Sequence, residues 1–138
     1  MEGIIMGFDL KTEFGTDEKK EIEGVWEDMG DGFSIKIARA NNPNYDKWFT
    51  RLTKGIKRQL RNDTVPEEKS RAIMIQIMAK TILLDWKGMF EDGKEVKYSE
   101  KEAVRVLTEY KDFRTTITEM SSSITLFRME EDEDAEKN

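Results

Sequence analysis

Few residues in this sequence could carry chemistry. Asp85 directly follows a long apolar run, and a carboxylate in such a setting is the kind that burial can turn into a general acid. No second catalytic group travels with it. That favours a structural carboxylate, paired with Lys80 or Arg39 or left exposed at a helix end. The serines of "TEMSSSIT" would need a partner base to act as nucleophiles. The chain has no histidine and no cysteine, so the usual neutral-pH base and the thiolate are both missing. The serines therefore read as a polar step on a helix.

Metal and phosphate chemistry are equally thin. "DMGDGF" and "EDGKEVKYSE" place carboxylates beside glycines, as calcium loops do, yet neither has the full ligand spacing of such a loop. Gly24, Gly30 and Gly32 belong to a turn region, and no Gly-Lys-Ser/Thr follows them. "KGIKRQLR", close to Tyr45 and Trp48, could track a phosphate backbone. The net charge of −6 argues against that, and both aromatics fit an apolar helix stripe. The expectation is no catalytic residue, no cofactor, no metal, and neither nucleic acid nor membrane as a partner.

Periodicity gives the elements that would position these groups. Ile22, Val25 and Trp26 precede the turn Met29-Gly30-Asp31-Gly32, after which Phe33, Ile35 and Ile37 alternate, predicting a β-hairpin. A lone hairpin is marginal in water, so it must lie on the helices that follow. Asn42 and Pro43 form an N-cap and a first helical position. Tyr45, Trp48, Phe49, Leu52, Ile56 and Leu60 then make one apolar stripe, opposite Lys47, Arg51, Lys54, Lys57, Arg58 and Arg61. Gly55 inside this helix costs about 1 kcal/mol against alanine and would bend it.

Thr64 and Glu67 are spaced as a capping box for a second helix, "SRAIMIQIMAKTILLDW", apolar on nearly all sides and therefore central. "KGMFEDGKEVKY" reads as a small hairpin or loop turning at Asp92-Gly93. Ser99 and Glu102 cap a third helix. A fourth carries Phe113, Ile117, Met120, Ile124 and Phe127 on one stripe.

With 138 residues, one domain with a real core is expected. The fold class is mainly α (α+β), about four helices with an N-terminal β-hairpin. Residues 1–20 form an arm and charged link, residues 21–128 the domain, and residues 129–138, "MEEDEDAEKN", a disordered acidic tail. The absence of cysteine, of a signal-like N-terminus and of any apolar run of about 20 residues predicts a soluble, intracellular protein.

The segments "GVW…DGFSIKIARANNPNY", "ILLDWKGM", "YSEKEAVRVL" and "DFRTTITEMS" together resemble the tail assembly chaperones of long-tailed, non-contractile (siphovirus-type) bacteriophages. The resemblance spans roughly residues 22–128. It rests on Ala38, Arg39, Asn42, Pro43 and Tyr45; on Leu83, Asp85, Trp86 and Gly88; and on Tyr98, Ser99 and Phe113.

The resemblance implies a non-enzymatic protein. It would coat the tape measure protein, a long helical rod prone to aggregate, and recruit tail tube protein in the host cell cytoplasm. It would be absent from the mature virion. It also implies that a longer form arises by a −1 ribosomal frameshift. Glu136-Lys137-Asn138 can be encoded as GAA AAA AAC, which contains a slippery run.

A client helix needs cover for its apolar face, and Met74, Met78, Met89 and Met120 are adaptable candidates. The favoured partner surface is Met120, Ile124, Phe127 and Met129, where the fold runs out and the charge begins. Many copies on one rod also imply weak self-association. The alternative is a minor tail or head-tail joining subunit retained in the virion. An acidic nucleic-acid mimic and a hydrolase built on Asp85 are further alternatives.

Overall fold

A computed structural model describes residues 7–129, and in it the alternating segments pair as the Gly/Asp turn predicts. Strand β1 (Val25–Asp28) runs antiparallel to β2 (Ser34–Ile37), with Val25 opposite Ile37 and Glu27 opposite Ile35. A third strand, β3 (Leu83–Lys87), adds to the other edge of β2, giving the order β1-β2-β3. Ile35 faces Trp86 and Ile37 faces Leu83. A register shift between Lys36 and Ile37 leaves Leu84 as the extra residue. Ile35, Ile37, Leu83 and Trp86 are all buried on the inner face.

Helix α1 (Leu10–Phe14) and α2 (Glu18–Glu23) precede the sheet. After β2 come α3 (Pro43–Leu52), α4 (Lys57–Arg61) and α5 (Glu67–Thr81). The two-residue strands β4 (Phe90–Glu91) and β5 (Lys94–Glu95) follow β3, then α6 (Glu100–Glu109) and α7 (Lys111–Ser121). Short 3-10 turns lie at Lys54–Ile56 and Ile124–Phe127. The core forms where the inner sheet face meets α5, α6 and α7, through Ile75, Met78, Ala79, Val106, Leu107 and Ile117. No helix among the described residues is long and apolar enough to cross a membrane.

The α+β class stands, but the expectation of about four helices does not. Seven helices and two small antiparallel sheets are present among the described residues. Two of the helices lie in or beside the charged link: Asp9 and Asp17 each cap a short helix, accepting backbone N–H bonds from Thr12 and from Lys19 and Lys20.

The first core helix stops at Leu52, where Thr53 turns its hydroxyl back to the Phe49 carbonyl at 2.6 Å. Gly55 then lies in the 3-10 turn, and Ile56 takes a non-helical backbone that buries its side chain. The second helix ends at Thr81, not Trp86, because residues 83–87 find a ladder on the open edge of β2. The fourth ends at Ser121, where the hydroxyls of Ser121 and Ser122 both return to the Thr118 carbonyl.

The Thr64–Glu67 capping box does not form either. Pro66 occupies the cap position, and Thr64 instead donates to the Gln59 carbonyl at 3.4 Å. The Ser99 cap does form, with its hydroxyl accepting from Glu102 N–H at 3.0 Å.

The segment between β2 and α3 ties the elements together. Successive backbone N–H groups of Ala38, Arg39 and Ala40 donate to the carbonyls of Ile82, Glu21 and Ser121, at the ends of α5, α2 and α7. Asn42, 4% exposed, completes the knot. Its Oδ1 accepts from Asn44 and Tyr45 N–H to start α3, while its Nδ2 donates to the Arg39 carbonyl at 2.7 Å and the Thr81 carbonyl at 3.1 Å. The acidic run of residues 130–138 and the first six residues lie outside the described residues.

Candidate functional site

Four aromatic residues from separate parts of the chain gather on one side of the molecule. Phe33 leaves the β1–β2 turn, Phe90 opens β4, Tyr110 joins α6 to α7, and Phe113 starts the α7 stripe. They line a cleft of about 840 Å³ together with Met89 and Val96. Phe33 and Phe113 form its floor, with ring centroids 6.5 Å apart. Phe90, 63% exposed, and Tyr110, 46% exposed, stand at its mouth. Aromatic rings with exposed faces beside a packed floor are the groups that dominate protein–protein contacts.

Three local features hold the cleft open. Gly88 ends β3 at φ +74°, and a Cβ there would lie 2.1 Å from the Gly32 carbonyl oxygen. Only glycine lets the two turns touch. Asp92 and Gly93 both have positive φ, which suits the two-residue turn between β4 and β5. Trp86 Nε1 donates to the Val96 carbonyl at 2.7 Å, and the Tyr98 hydroxyl donates to the Leu83 carbonyl at 2.8 Å. The Trp86 and Tyr98 rings meet edge to face with centroids 4.9 Å apart. Burial, with the charges of Glu100 and Asp85 behind it, pushes the Tyr98 hydroxyl up to about 12.

The wall is ionic. The Arg105 guanidinium spans Glu91 of β4 (3.1 and 3.3 Å), Glu109 (3.0 Å) and Glu102. Tyr110 donates its hydroxyl to Glu91 as well. The Tyr110 hydroxyl first, and Arg105 second, hold the Glu91 carboxyl below the usual carboxylate range. That bond to Glu91 in turn raises the Tyr110 hydroxyl. This network pins the β4–β5 hairpin against α6. Five carboxylates line the cleft (Asp31, Glu91, Asp92, Glu109, Asp112) against Arg105 and Lys111, so its field favours a partner with positive charge.

The residues favoured by the sequence lie elsewhere. Met120 and Ile124 are half-buried, and Met129 is 43% exposed. Phe127 is 0% exposed and offers no surface, a correction to its expected role. Its turn is clasped by the N-terminal helices: Asp17 N–H donates to the Phe127 carbonyl at 2.8 Å, and Thr16 bridges Arg128.

Of the methionine candidates, Met89 lies in the cleft and Met120 beside the core. Met78 is buried, and Met74, 41% exposed, receives the Tyr45 hydroxyl at 3.5 Å. Asp85 sits opposite Lys36 and accepts from Trp86 N–H. Neither expected partner reaches it, since Lys80 pairs with Glu100 and Arg39 with Glu21.

Asp28 of the first acidic loop accepts from Gly30 N–H. The basic residues of α3 and α4 are exposed, with Trp48 flanked by Arg51 (4.9 Å) and Lys80 (4.4 Å). Sequence reasoning missed Phe90, Tyr110 and the Arg105 network. An aromatic beside Asp-Gly, or between two helices, is the signal that could have found them.

All four segments that carry the chaperone resemblance meet here, the first through Phe33. Gly88 and Phe113 line the cleft, while Trp86 and Tyr98 support it. No curated protein and no solved structure matches the chain. A family model described as YdaY prophage protein matches residues 40–138, taking in every cleft residue except those of the β1–β2 turn. That match supports a phage-derived origin and is silent on tail assembly. The chain belongs to the YdaY prophage protein family.

Proposed function

We propose that this protein is a tail assembly chaperone, which binds without turnover. It covers apolar helical segments of the tape measure protein in the host cytoplasm, helps recruit tail tube subunits, and is left out of the finished virion. The observation that carries this reading is the aromatic cleft, with Phe90 and Tyr110 exposed over an apolar floor inside an acidic rim. A helix that alternates an apolar face with lysine or arginine flanks is the complementary client. The prophage family and the position of Gly88 and Phe113 in the cleft also support it.

Co-expression with the tape measure protein of the same prophage tests the reading. The client should become soluble and co-purify with the wild-type chain, and fail to do so with Phe90→Ser, a substitution at an exposed position. A client that is equally soluble with and without the chain would overturn the proposal. So would a Phe90→Ser variant that performs as well as wild type.

A further inference from the structure

Charge in this molecule is segregated. Between Pro43 and Asn62 there are six cations (Lys47, Arg51, Lys54, Lys57, Arg58, Arg61) and one carboxylate, Asp46, a net of +5 in a chain of −6. All six cations are exposed, and none makes an ion pair among the described residues, although six carboxylates elsewhere (Glu21, Glu67, Glu91, Glu100, Glu102, Glu109) pair with Arg39, Arg71, Lys80 and Arg105. Arg51 is instead placed over the Trp48 ring. Immediately after Met129 the sequence reads EEDEDAEKN, six carboxylates against Lys137, a net of −5.

We propose that the face formed by α3 and α4 is a docking site for the acidic run, residues 130–136, of a second copy of this chain. The charges match in number and oppose in sign. Seven extended residues span about 25 Å, whereas α3 alone, at about 1.5 Å per residue, is about 15 Å long. The run is therefore long enough to lie along α3 and onto α4. Because the face and the run are different surfaces, the contact is heterologous: each copy offers its run to the next, and copies line up. Exposed ion pairs are weak singly, so six together give a reversible, salt-sensitive contact suited to assembly along a rod. This contact stands apart from the aromatic cleft and needs no client.

Sedimentation velocity of the purified full chain over a concentration series tests it. Concentration-dependent association is expected at low salt, returning to monomer at about 1 M salt, where the screening length is about 3 Å. Deleting residues 130–138 should weaken association at least about tenfold. The triple variant Lys54→Glu, Lys57→Glu, Arg61→Glu should do the same while circular dichroism shows an intact fold. Mixing that variant with a chain whose Glu130, Glu131 and Glu133 are changed to Lys should restore association between the two. A chain that stays monomeric at low salt, or that associates equally without residues 130–138, overturns the proposal. Failure of the reciprocal mixture does so too, as does a finding that the triple variant loses only nucleic-acid binding.

Discussion

Asn42 should be worth far more than a helix cap. Its Oδ1 accepts from Asn44 and Tyr45 N–H, a contribution of about 1 kcal/mol. Its Nδ2 donates to the carbonyls of Arg39 and Thr81 inside a site only 4% exposed. The Arg39 carbonyl retains Asn42 N–H as a partner, so the main loss falls on the Thr81 carbonyl, at about 1–3 kcal/mol for a stranded acceptor. Asn42→Ala should therefore cost about 3 kcal/mol, or roughly 10 °C in Tm for a chain of this size. Asn42→Ser, which keeps the cap and loses the donors, should cost about 2 kcal/mol.

Asn42→Asp is the decisive variant. Aspartate caps a helix as well as asparagine does, but here its carboxylate would face two carbonyl oxygens. It should lose at least about 2 kcal/mol. Urea unfolding followed by tryptophan fluorescence, with the buried Trp86 as reporter, measures all three. An Asn42→Asp protein within about 0.5 kcal/mol of wild type would refute the knot and leave Asn42 an ordinary cap.

Gly88→Ala should destabilise by about 3 kcal/mol, since the added carbon meets the Gly32 backbone at a positive φ, and urea melts will register it. Phe127→Ala should cost about 3–5 kcal/mol, whereas Met129→Ala, at an exposed position, should stay within about 0.5 kcal/mol. Equal effects at the two sites would contradict the clasp over the Phe127 turn. The folded Glu91 carboxyl titrates below its ordinary value near 4.5. Its contribution is thus complete above that value and lost as pH falls through the folded one, so Glu91→Gln should flatten the acid limb of the stability profile. Tyr98 is shifted the other way, from 10.0 up to about 12, so stability should fall between those values as pH rises, and Tyr98→Phe should lessen the fall. Mass spectrometry of purified virions should miss this chain, while a joining subunit would be found there.

The local grammar of the chain was legible wherever one short-range rule decided the outcome. The β1–β2 turn, the Asn42-Pro43 start of α3, the Ser99 cap and the Asp92-Gly93 hairpin were all of this kind. What was not legible depended on a partner distant in sequence. "ILLDW" continues an apolar helix by pattern, and only the free edge of β2, almost fifty residues earlier, makes it a strand. Phe127 continues the α7 stripe by spacing, yet two serines end that helix and the N-terminal helices bury the ring. The cleft suffered most. Its aromatics come from four separate elements, and Arg105 looks like one more charge on α6 until Glu91 of β4 is beside it.

On the proposed function, the aromatic cleft is where a client lies. Hydrogen–deuterium exchange of the chain alone, and of the chain co-purified with the tape measure protein, measures this directly. Client binding should slow exchange in residues 88–96 and 109–113, with little change in α3 and α4. Unchanged exchange in both cleft segments, with protection appearing elsewhere on the molecule, would contradict it.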